Sequence, residues 1–307
     1  MPPVVPHISL SADEFAELRG QRYAVPVDDA VFRFEGTGTI DCLQGLLTND
    51  VAKPARGSAV WGAFLTAKGM IITDAWVLRE TDAAWVVVPA SMRTAVSELF
   101  RRTIPPRLAK VTDHSDTHSV RWLCGGTPSG LQEGKPFVPH GMAPFTEIMI
   151  TDDGAALDAR LLHHGWQPVK PVIATLSKLL MGWPTLGREI DERTLPQEAR
   201  FDELGGVKYD KGCYTGQETV ARVHFRGHTN RVLRGVCWAP GDRPTDAIVT
   251  DGDKVVGTIR TMAQLGDRCV ALATLRREVA LGDMIRTGES EGVVVEPPFD
   301  LGEPAVA

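Results

Sequence analysis

The succession of apolar and polar positions predicts strands and helices that follow one another without regular alternation. A period of two predicts a half-buried strand at 31–36, and two apolar runs predict a hairpin of strands at 61–65 and 70–78. Apolar residues at helical spacing predict short helices at 41–47 and 91–100. Because these elements do not form repeated strand–helix–strand units, the pattern favours an α+β fold with mixed layers.

The pattern of apolar and polar positions changes after Arg231. Before that point, strands are predicted at 85–88, 107–111, 120–124 and 145–150, a loop at 125–144, and helices at 155–164 and 171–181. After Arg231, short apolar runs are separated by Pro-Gly and Asp-Gly turns, which predict a small β-barrel or sandwich.

Composition narrows the class of protein. With 307 residues and 43% hydrophobic content, the chain can bury a substantial core in two or three domains. The 33 basic and 39 acidic residues give a net charge of −6, which argues against a globally basic nucleic-acid binder. The sequence contains neither a signal-peptide pattern nor an apolar run of about 18 residues, so we expect no membrane association and a reducing, cytoplasmic location.

The chain contains five scattered cysteines, one of which is a candidate reactive thiol. None forms a CxxC pair, so no zinc or iron–sulfur ligand set is predicted within the chain. Cys213 lies in the segment KGCYTGQE, where Thr215 and Glu218 match the capping box of a helix start. A helix N-terminus and the neighbouring Lys211 both favour a thiolate, which predicts a reactive cysteine. The alternative is a small buried residue without chemistry.

The segment from Thr219 to Arg234 is a second candidate. It contains four arginines and two histidines but no acidic residue. In an acidic protein such a segment can attract a polyanion, such as a folyl polyglutamate tail, an RNA backbone or an acidic partner. The alternative is an ordinary solvated helix face.

Three sequence blocks together resemble the YgfZ-type folate-binding proteins. They are the stretch from Leu195 to Val236 with KGCYTGQE, DCLQGLLTNDV at 41–51, and GAFLTAKGMIITDAWVL at 62–78. That family is a branch of the superfamily that includes the aminomethyltransferase of the glycine cleavage system. The resemblance extends from about Phe32 into the C-terminal region.

The resemblance implies two interlocked α+β modules in residues 1–230 and a C-terminal β-barrel in residues 231–307, arranged around a central folate site. The cofactor it implies is tetrahydrofolate or a polyglutamylated derivative. The chemistry is assigned to Cys213 and Lys211. Folate binding is assigned to Asp74, Asn49, Glu198, Tyr214, Gln217 and Arg222.

Two positions depart from the aminomethyltransferase pattern. Thr73 replaces the first of two aspartates, which leaves Asp74 as the second. The segment that contributes a pterin-binding glutamate corresponds to Lys178–Gly182, where Leu180 occupies the position of that glutamate and cannot accept a hydrogen bond. These departures count against aminomethyl transfer.

The function implied by the resemblance is that of a folate-binding accessory protein for the assembly or repair of iron–sulfur enzymes. Its partners would be folate, iron–sulfur enzymes or cluster-assembly proteins, including an RNA-modifying client enzyme. One alternative is a tetrahydrofolate-dependent aminomethyltransferase or demethylating enzyme. Another is an RNA-associated interaction module that uses the arginines between Arg222 and Arg234.

Overall fold

The computed structural model describes residues 7–125 and 136–301 of the chain, in which three β-sheets are combined with short helices. The helices are α1 (Ala12–Gly20), α2 (Thr39–Gln44), α3 (Arg93–Thr103), α4 (Gly154–His163), α5 (Val172–Met181) and α6 (Gln217–Arg226).

The strands are β1 (His7–Leu10), β2 (Tyr23–Val27), β3 (Asp29–Glu35), β4 (Ser58–Leu65), β5 (Ile71–Arg79), β6 (Ala83–Pro89), β7 (Lys110–Asp113), β8 (Ser119–Cys124), β9 (Val138–Pro139), β10 (Glu147–Thr151), β11 (Gln167–Pro168), β12 (Arg231–Trp238), β13 (Ile248–Asp251), β14 (Lys254–Leu265), β15 (Arg268–Arg276), β16 (Met284–Thr287) and β17 (Ser290–Val295).

A six-stranded sheet in the order β7-β3-β6-β5-β4-β9 forms the centre of the N-terminal region. Side chains alternate along each strand, so one face carries Phe34 and Val77, which pack with Val96 and Phe100 of α3. The opposite face carries Trp76 and belongs to the largest hydrophobic core. Both faces are therefore covered.

A four-stranded sheet in the order β10-β8-β2-β11 lies across that core. Val25 and Trp122 point from it toward the six-stranded sheet, whereas Leu123 points the other way and packs with Leu157 and Leu161 of α4. The result is a layered arrangement of helices, sheet, sheet and helix, with the main core between the two sheets.

The C-terminal region forms a closed β-barrel. Its six strands run β14-β13-β16-β17-β12-β15, and β14 also pairs with β15 to close the ring. Val236, Ile259 and Leu275 fill its interior. The N-terminal strand β1 pairs in parallel with β14, so the first described residues of the chain extend the barrel sheet.

These features confirm the α+β fold class and the C-terminal barrel. The predicted hairpin is present as β4 and β5, which pair through Trp61 and Trp76. The loop predicted at 125–144 contains β9, and its residues 126–135 lie outside the described part of the chain. None of the helices in the described ranges has the length and apolar composition needed to cross a bilayer.

Candidate functional site

Two sequence blocks that are far apart in the chain form one hydrogen-bonded unit, residues 44–50 with residues 205–216, which we call the motif junction. Lys208 N donates to Thr48 O at 3.0 Å, and Thr48 Oγ1 donates to Gly206 O at 2.6 Å. Thr215 N donates to Gly45 O at 3.2 Å. The DCLQGLLTNDV segment is thus hydrogen-bonded both to KGCYTGQE and to the residues just before it.

Lys211 is the central brace of the motif junction. Its side chain is buried, and Nζ donates to three carbonyl oxygens: Gln44 O at 2.7 Å, Leu47 O at 2.6 Å and Asn49 O at 2.8 Å. An ammonium group has three protons, so these bonds use its full donor capacity. Burial lowers the pKa of Lys211 to about 8. The observed contacts of the ammonium are therefore with the loop, and its predicted effect on Cys213 stays a prediction.

Asn49 has the same bracing character. Its Nδ2 donates to Trp61 O at 2.7 Å and to Gly205 O at 2.8 Å, while its Oδ1 accepts from Asp50 N at 2.8 Å. The whole amide is therefore engaged inside the protein, which gives this predicted folate residue a structural part in the motif junction.

Two further predicted folate residues, Glu198 and Tyr214, differ in their hydrogen bonding: the carboxylate of Glu198 is paired, whereas the buried hydroxyl of Tyr214 has no hydrogen bond among the described residues. Glu198 Oε2 accepts from Leu195 N at 3.1 Å and forms an ion pair with Arg231 at 3.2 Å. Tyr214 is buried, with its ring centroid 5.0 Å from Lys211 Nζ. Burial raises the pKa of the Tyr214 hydroxyl.

The start of α6 differs from the prediction. Its N-cap is Gly216, with φ of 81°, and no side chain caps the helix, so the predicted Thr215 capping box is wrong. A Cβ on Gly216 would lie 2.6 Å from Thr66 O, so only glycine fits both this left-handed conformation and this approach. The hairpin turn between β4 and β5 is therefore packed against the start of α6, which brings the third sequence block to the same place.

Cys213 is the exposed thiol among the five cysteines, all of which are free. It lies three residues before the Gly216 N-cap. Burial raises the pKa of Cys237 to about 11 and the pKa values of Cys124 and Cys269 to about 12. Thiolate is the reactive form, and the raised pKa values suppress its formation at the buried thiols. Together with its exposure, this favours Cys213 as the reactive site.

A second region lies in the core between the two sheets, and we call it the central aromatic cluster: Trp61, Trp76, Trp122, Phe145 and Trp183. Trp76 is stacked on Trp183 with centroids 5.8 Å apart, and Trp61 lies 4.2 Å from Trp183. Phe145 links Trp76 to Trp122, at 4.8 Å from each. These rings form one continuous aromatic surface.

Several polar atoms of this cluster have no protein partner. Asp74 Oδ2 accepts from Trp61 Nε1 at 3.3 Å, but the buried Asp74 Oδ1 has no hydrogen bond among the described residues. The same holds for the buried Nε1 atoms of Trp122 and Trp183. Buried polar atoms are nearly always paired, by protein, water or ligand. One acceptor and two donors are therefore available in an aromatic environment.

Asp29 and Lys178 add charge next to Asp74. Burial raises the pKa of Asp29 to about 7, which Lys178 counteracts and the Asp74 carboxylate reinforces. Lys178 Nζ lies 5.3 Å from the ring centroid of Trp122. Sequence reasoning assigned no site role to Asp29, Trp122 or Trp183, because no local pattern around them distinguishes a site from an ordinary core.

The remaining predicted site residues lie on α6 or beside the core. Gln217 is the first residue of α6, and its N–H donates to Tyr214 O at 3.2 Å. Arg222 is exposed on the same helix. Leu180 packs at the edge of the core with its apolar side chain. Of the residues predicted to bind folate, Asp74 is the one with a hydrogen bond to a side chain of the central aromatic cluster among the described residues.

Comparison with known proteins first defines the class. Residues 28–129 match the family model of the GCVT N-terminal domain. The structure of the glycine cleavage system aminomethyltransferase T from Bartonella henselae has a similar fold, with a TM-score of 0.75, 16% sequence identity, and coverage of 92% of this chain and 88% of that chain. The fold is therefore that of the aminomethyltransferase superfamily.

Sequence relatives narrow the similarity to one branch of that superfamily. The tRNA-modifying protein YgfZ of Sodalis glossinidius is 26% identical in an alignment that covers 90% of this chain and 92% of that protein. The protein of the same name from Cronobacter sakazakii is 24% identical with the same coverage. These similarities confirm the resemblance to the YgfZ-type branch of the aminomethyltransferase superfamily that the sequence blocks predicted.

Proposed function

We propose that this YgfZ-type protein binds tetrahydrofolate in the central aromatic cluster and assists the assembly or repair of iron–sulfur enzymes through Cys213. The observation that supports folate binding is the set of unpaired atoms: Asp74 Oδ1 and the indole Nε1 atoms of Trp122 and Trp183. The thiol and the cluster act as separate sites, one exposed and one buried.

The chemistry of the cluster fits a pterin. The pyrimidinone half of the tetrahydropterin ring system is planar, so it can stack on indole rings, and it carries both N–H donors and a carbonyl acceptor. Asp74 Oδ1 would accept from the pterin N–H groups, while Trp122 or Trp183 would donate to its carbonyl. When bound, tetrahydrofolate supplies a carrier for one-carbon units.

Cys213 is the group proposed to meet a partner protein. It is exposed in a segment that is fixed by Lys211 and by the Gly216 turn, so a partner would find the thiol in a defined position. The chain has no CxxC pair, which favours action on a partner's cluster or thiol over permanent cluster storage. The name of the relatives, tRNA-modifying protein, favours an RNA-modifying client enzyme in the cytosol.

Aminomethyl transfer to tetrahydrofolate is the second candidate. The buried carboxylate of Asp74 favours it. Leu180 counts against it, because its hydrocarbon side chain lies where the superfamily's pterin-binding glutamate is expected. Formation of methylenetetrahydrofolate from an aminomethyl donor would favour this enzyme over the accessory protein.

One set of variants tests both halves of the proposal. Tetrahydrofolate at about 100 times its dissociation constant should stabilise the native protein by about 2.7 kcal/mol. Asp74→Asn should weaken folate binding at least tenfold, because a charged acceptor becomes a neutral amide. Cys213→Ser should abolish support of an iron–sulfur enzyme in cells while folate affinity stays within about twofold of the original value.

Two matched controls accompany these variants. Asp82→Asn changes an exposed aspartate, and Cys42→Ser changes a half-buried thiol, so both should behave as the unmodified protein. Absence of stabilisation by reduced, polyglutamylated folate would rule out the folate site. Full support of the client enzyme by Cys213→Ser would make the cysteine a structural residue.

A further inference from the structure

Two rings from the C-terminal half of α6 and one from the segment before it form an aromatic stack. This stack takes no part in the proposed folate or thiol chemistry. Tyr209 and His224 are stacked with ring centroids 3.8 Å apart and planes at 18°. Phe225 contacts His224 edge-on at 4.7 Å and is 68% exposed. A large apolar ring at that exposure, held beside two other rings, forms a ready stacking surface.

This stack is held in a fixed position. The Tyr209 hydroxyl donates to Asp202 Oδ1 at 2.6 Å and accepts from Gln197 Nε2 at 3.2 Å. His224 Nδ1 lies 3.5 Å from Asp202 Oδ2. Since Asp202 is engaged by both rings, it holds the stack in place and presents less bare negative charge to a ligand.

A basic groove runs from this stack onto the barrel. A cavity of about 780 Å³ is lined by His228, Asn230, Arg231, Arg276, Arg277 and Glu278. A neighbouring cavity of about 340 Å³ reaches His224 and shares His228 and Arg277 with the first. The two cavities therefore form one continuous groove between α6 and the end of β15.

The positive charge of the groove is only partly neutralised. Glu198 pairs with Arg231 at 3.2 Å and Glu203 with Arg234 at 3.1 Å. Glu278 pairs with Lys254 at 2.8 Å and with Arg276 at 3.7 Å. By contrast, Arg277 in the groove and Arg226, which follows Phe225 on α6, are exposed and have no carboxylate within 4.0 Å in the described ranges. Because the whole chain has a net charge of −6, this excess of positive charge is local to the region around the groove.

We propose that this groove binds a single-stranded nucleic acid, with phosphates at Arg226 and Arg277 and an unstacked base on Phe225. Arginines alone would suit any polyanion, but an ordered aromatic surface beside them is typical of proteins that bind unpaired bases. An acidic peptide would use the arginines and leave Phe225 without a role. RNA and DNA share the required phosphodiester and base chemistry, and the proposal is independent of folate binding.

Fluorescence anisotropy with a labelled 12-nucleotide RNA, and with DNA of the same sequence, tests the groove in the full-length protein. Phe225→Ala should weaken binding about tenfold, the effect of losing one stacked base. Arg226→Ala combined with Arg277→Ala should weaken binding and reduce the slope of log K against log salt by about 1.4, since each lost phosphate contact removes about 0.7. A higher affinity for one of the two oligonucleotides would identify the natural class.

The controls change comparable residues on other surfaces. Leu162→Ala removes an exposed apolar side chain of α4, and Arg101→Ala with Arg102→Ala removes two exposed arginines of α3. Both should leave affinity and salt slope unchanged. The proposal is overturned if neither oligonucleotide binds at low salt, or if Phe225→Ala has no effect and polyglutamate competes as well as RNA, which would indicate an acidic polypeptide partner.

Discussion

Lys211 and Asn49 of the motif junction and the residues of the central aromatic cluster with Asp74 are buried, but the hydrogen bonding of their polar atoms differs. In the junction, Lys211 and Asn49 direct every polar atom of their side chains to backbone groups. In the cluster, Asp74 and two tryptophans keep polar atoms without a protein partner. The difference indicates that the junction stabilises the fold, whereas the cluster is suited to a ligand that completes its hydrogen bonds.

The recognisable sequence blocks and the candidate ligand atoms come largely from different parts of the chain. The recognisable segments DCLQGLLTNDV and KGCYTGQE contribute Asn49 and Lys211, whose side-chain polar atoms are fully paired, and the exposed Cys213. The candidate ligand atoms of Trp122 and Trp183 come from outside those segments. A distinctive sequence segment can therefore stabilise the fold while the proposed ligand site lies elsewhere.

The largest expected effect is on the motif junction. Lys211→Met should lower the free energy of unfolding by at least about 3 kcal/mol, because three buried carbonyls lose their donor and each unsatisfied group costs about 1–3 kcal/mol. Urea denaturation at pH 7 measures the loss. Lys208→Met, at an exposed position of the same segment, is the control and should change stability by less than about 0.5 kcal/mol. A loss below about 1 kcal/mol for Lys211→Met would show that the brace is unimportant.

A smaller effect is expected from Asp29 at the edge of the central cluster. Burial raises its pKa to about 7, so the native protein keeps this proton between pH 4 and 7 while the unfolded chain releases it. The native state then loses stability through this group as the pH rises over that window.

Asp29→Asn removes that titration. The variant should therefore gain stability relative to the unmodified protein between pH 5 and pH 8, by about 2 kcal/mol, and the gain should level off above pH 7. Urea denaturation at several pH values gives this difference. A difference independent of pH would mean that Asp29 is ionised throughout and that Lys178 compensates it fully.

The smallest effect on stability is expected at Asp74. Asp74→Asn retains an oxygen to accept from Trp61 Nε1 and replaces an unpaired atom, so without folate it should change the free energy of unfolding by no more than about 1 kcal/mol. Thermal and urea denaturation without ligand measure this change. A loss as large as that of Lys211→Met would place Asp74 among the structural braces and remove the contrast between the two regions.

Local sequence signals predicted much of the secondary structure. The hairpin of β4 and β5 was predicted because alternating or continuous apolar runs are bounded by a turn, and the pattern of short strands after Arg231 predicted the barrel. The end of α5 was predicted from Met181-Gly182, and Gly182 indeed has a left-handed conformation with φ of 67°. These features depend on neighbours in the sequence.

The start of α6 and the site residues depended on distant neighbours. The pattern Thr215-x-x-Glu218 predicted a capping box, but the close approach of Thr66 O to Gly216 sets the cap one residue later. Similarly, Lys211 was predicted to be a cation beside Cys213, whereas its ammonium bonds to carbonyls more than 160 residues away, between Gln44 and Asn49.

The sequence by itself determined the α+β class, the C-terminal barrel and the resemblance to YgfZ-type proteins, because periodicity, turns and long motif blocks are properties of contiguous residues. Only the tertiary structure decided which polar groups pair and which stay open. Asp74, Trp122 and Trp183 belong to three separate segments, and their free hydrogen-bonding atoms become a common feature only when the two sheets pack face to face. Hydrogen-bond satisfaction depends on distances across the fold, which no local pattern encodes.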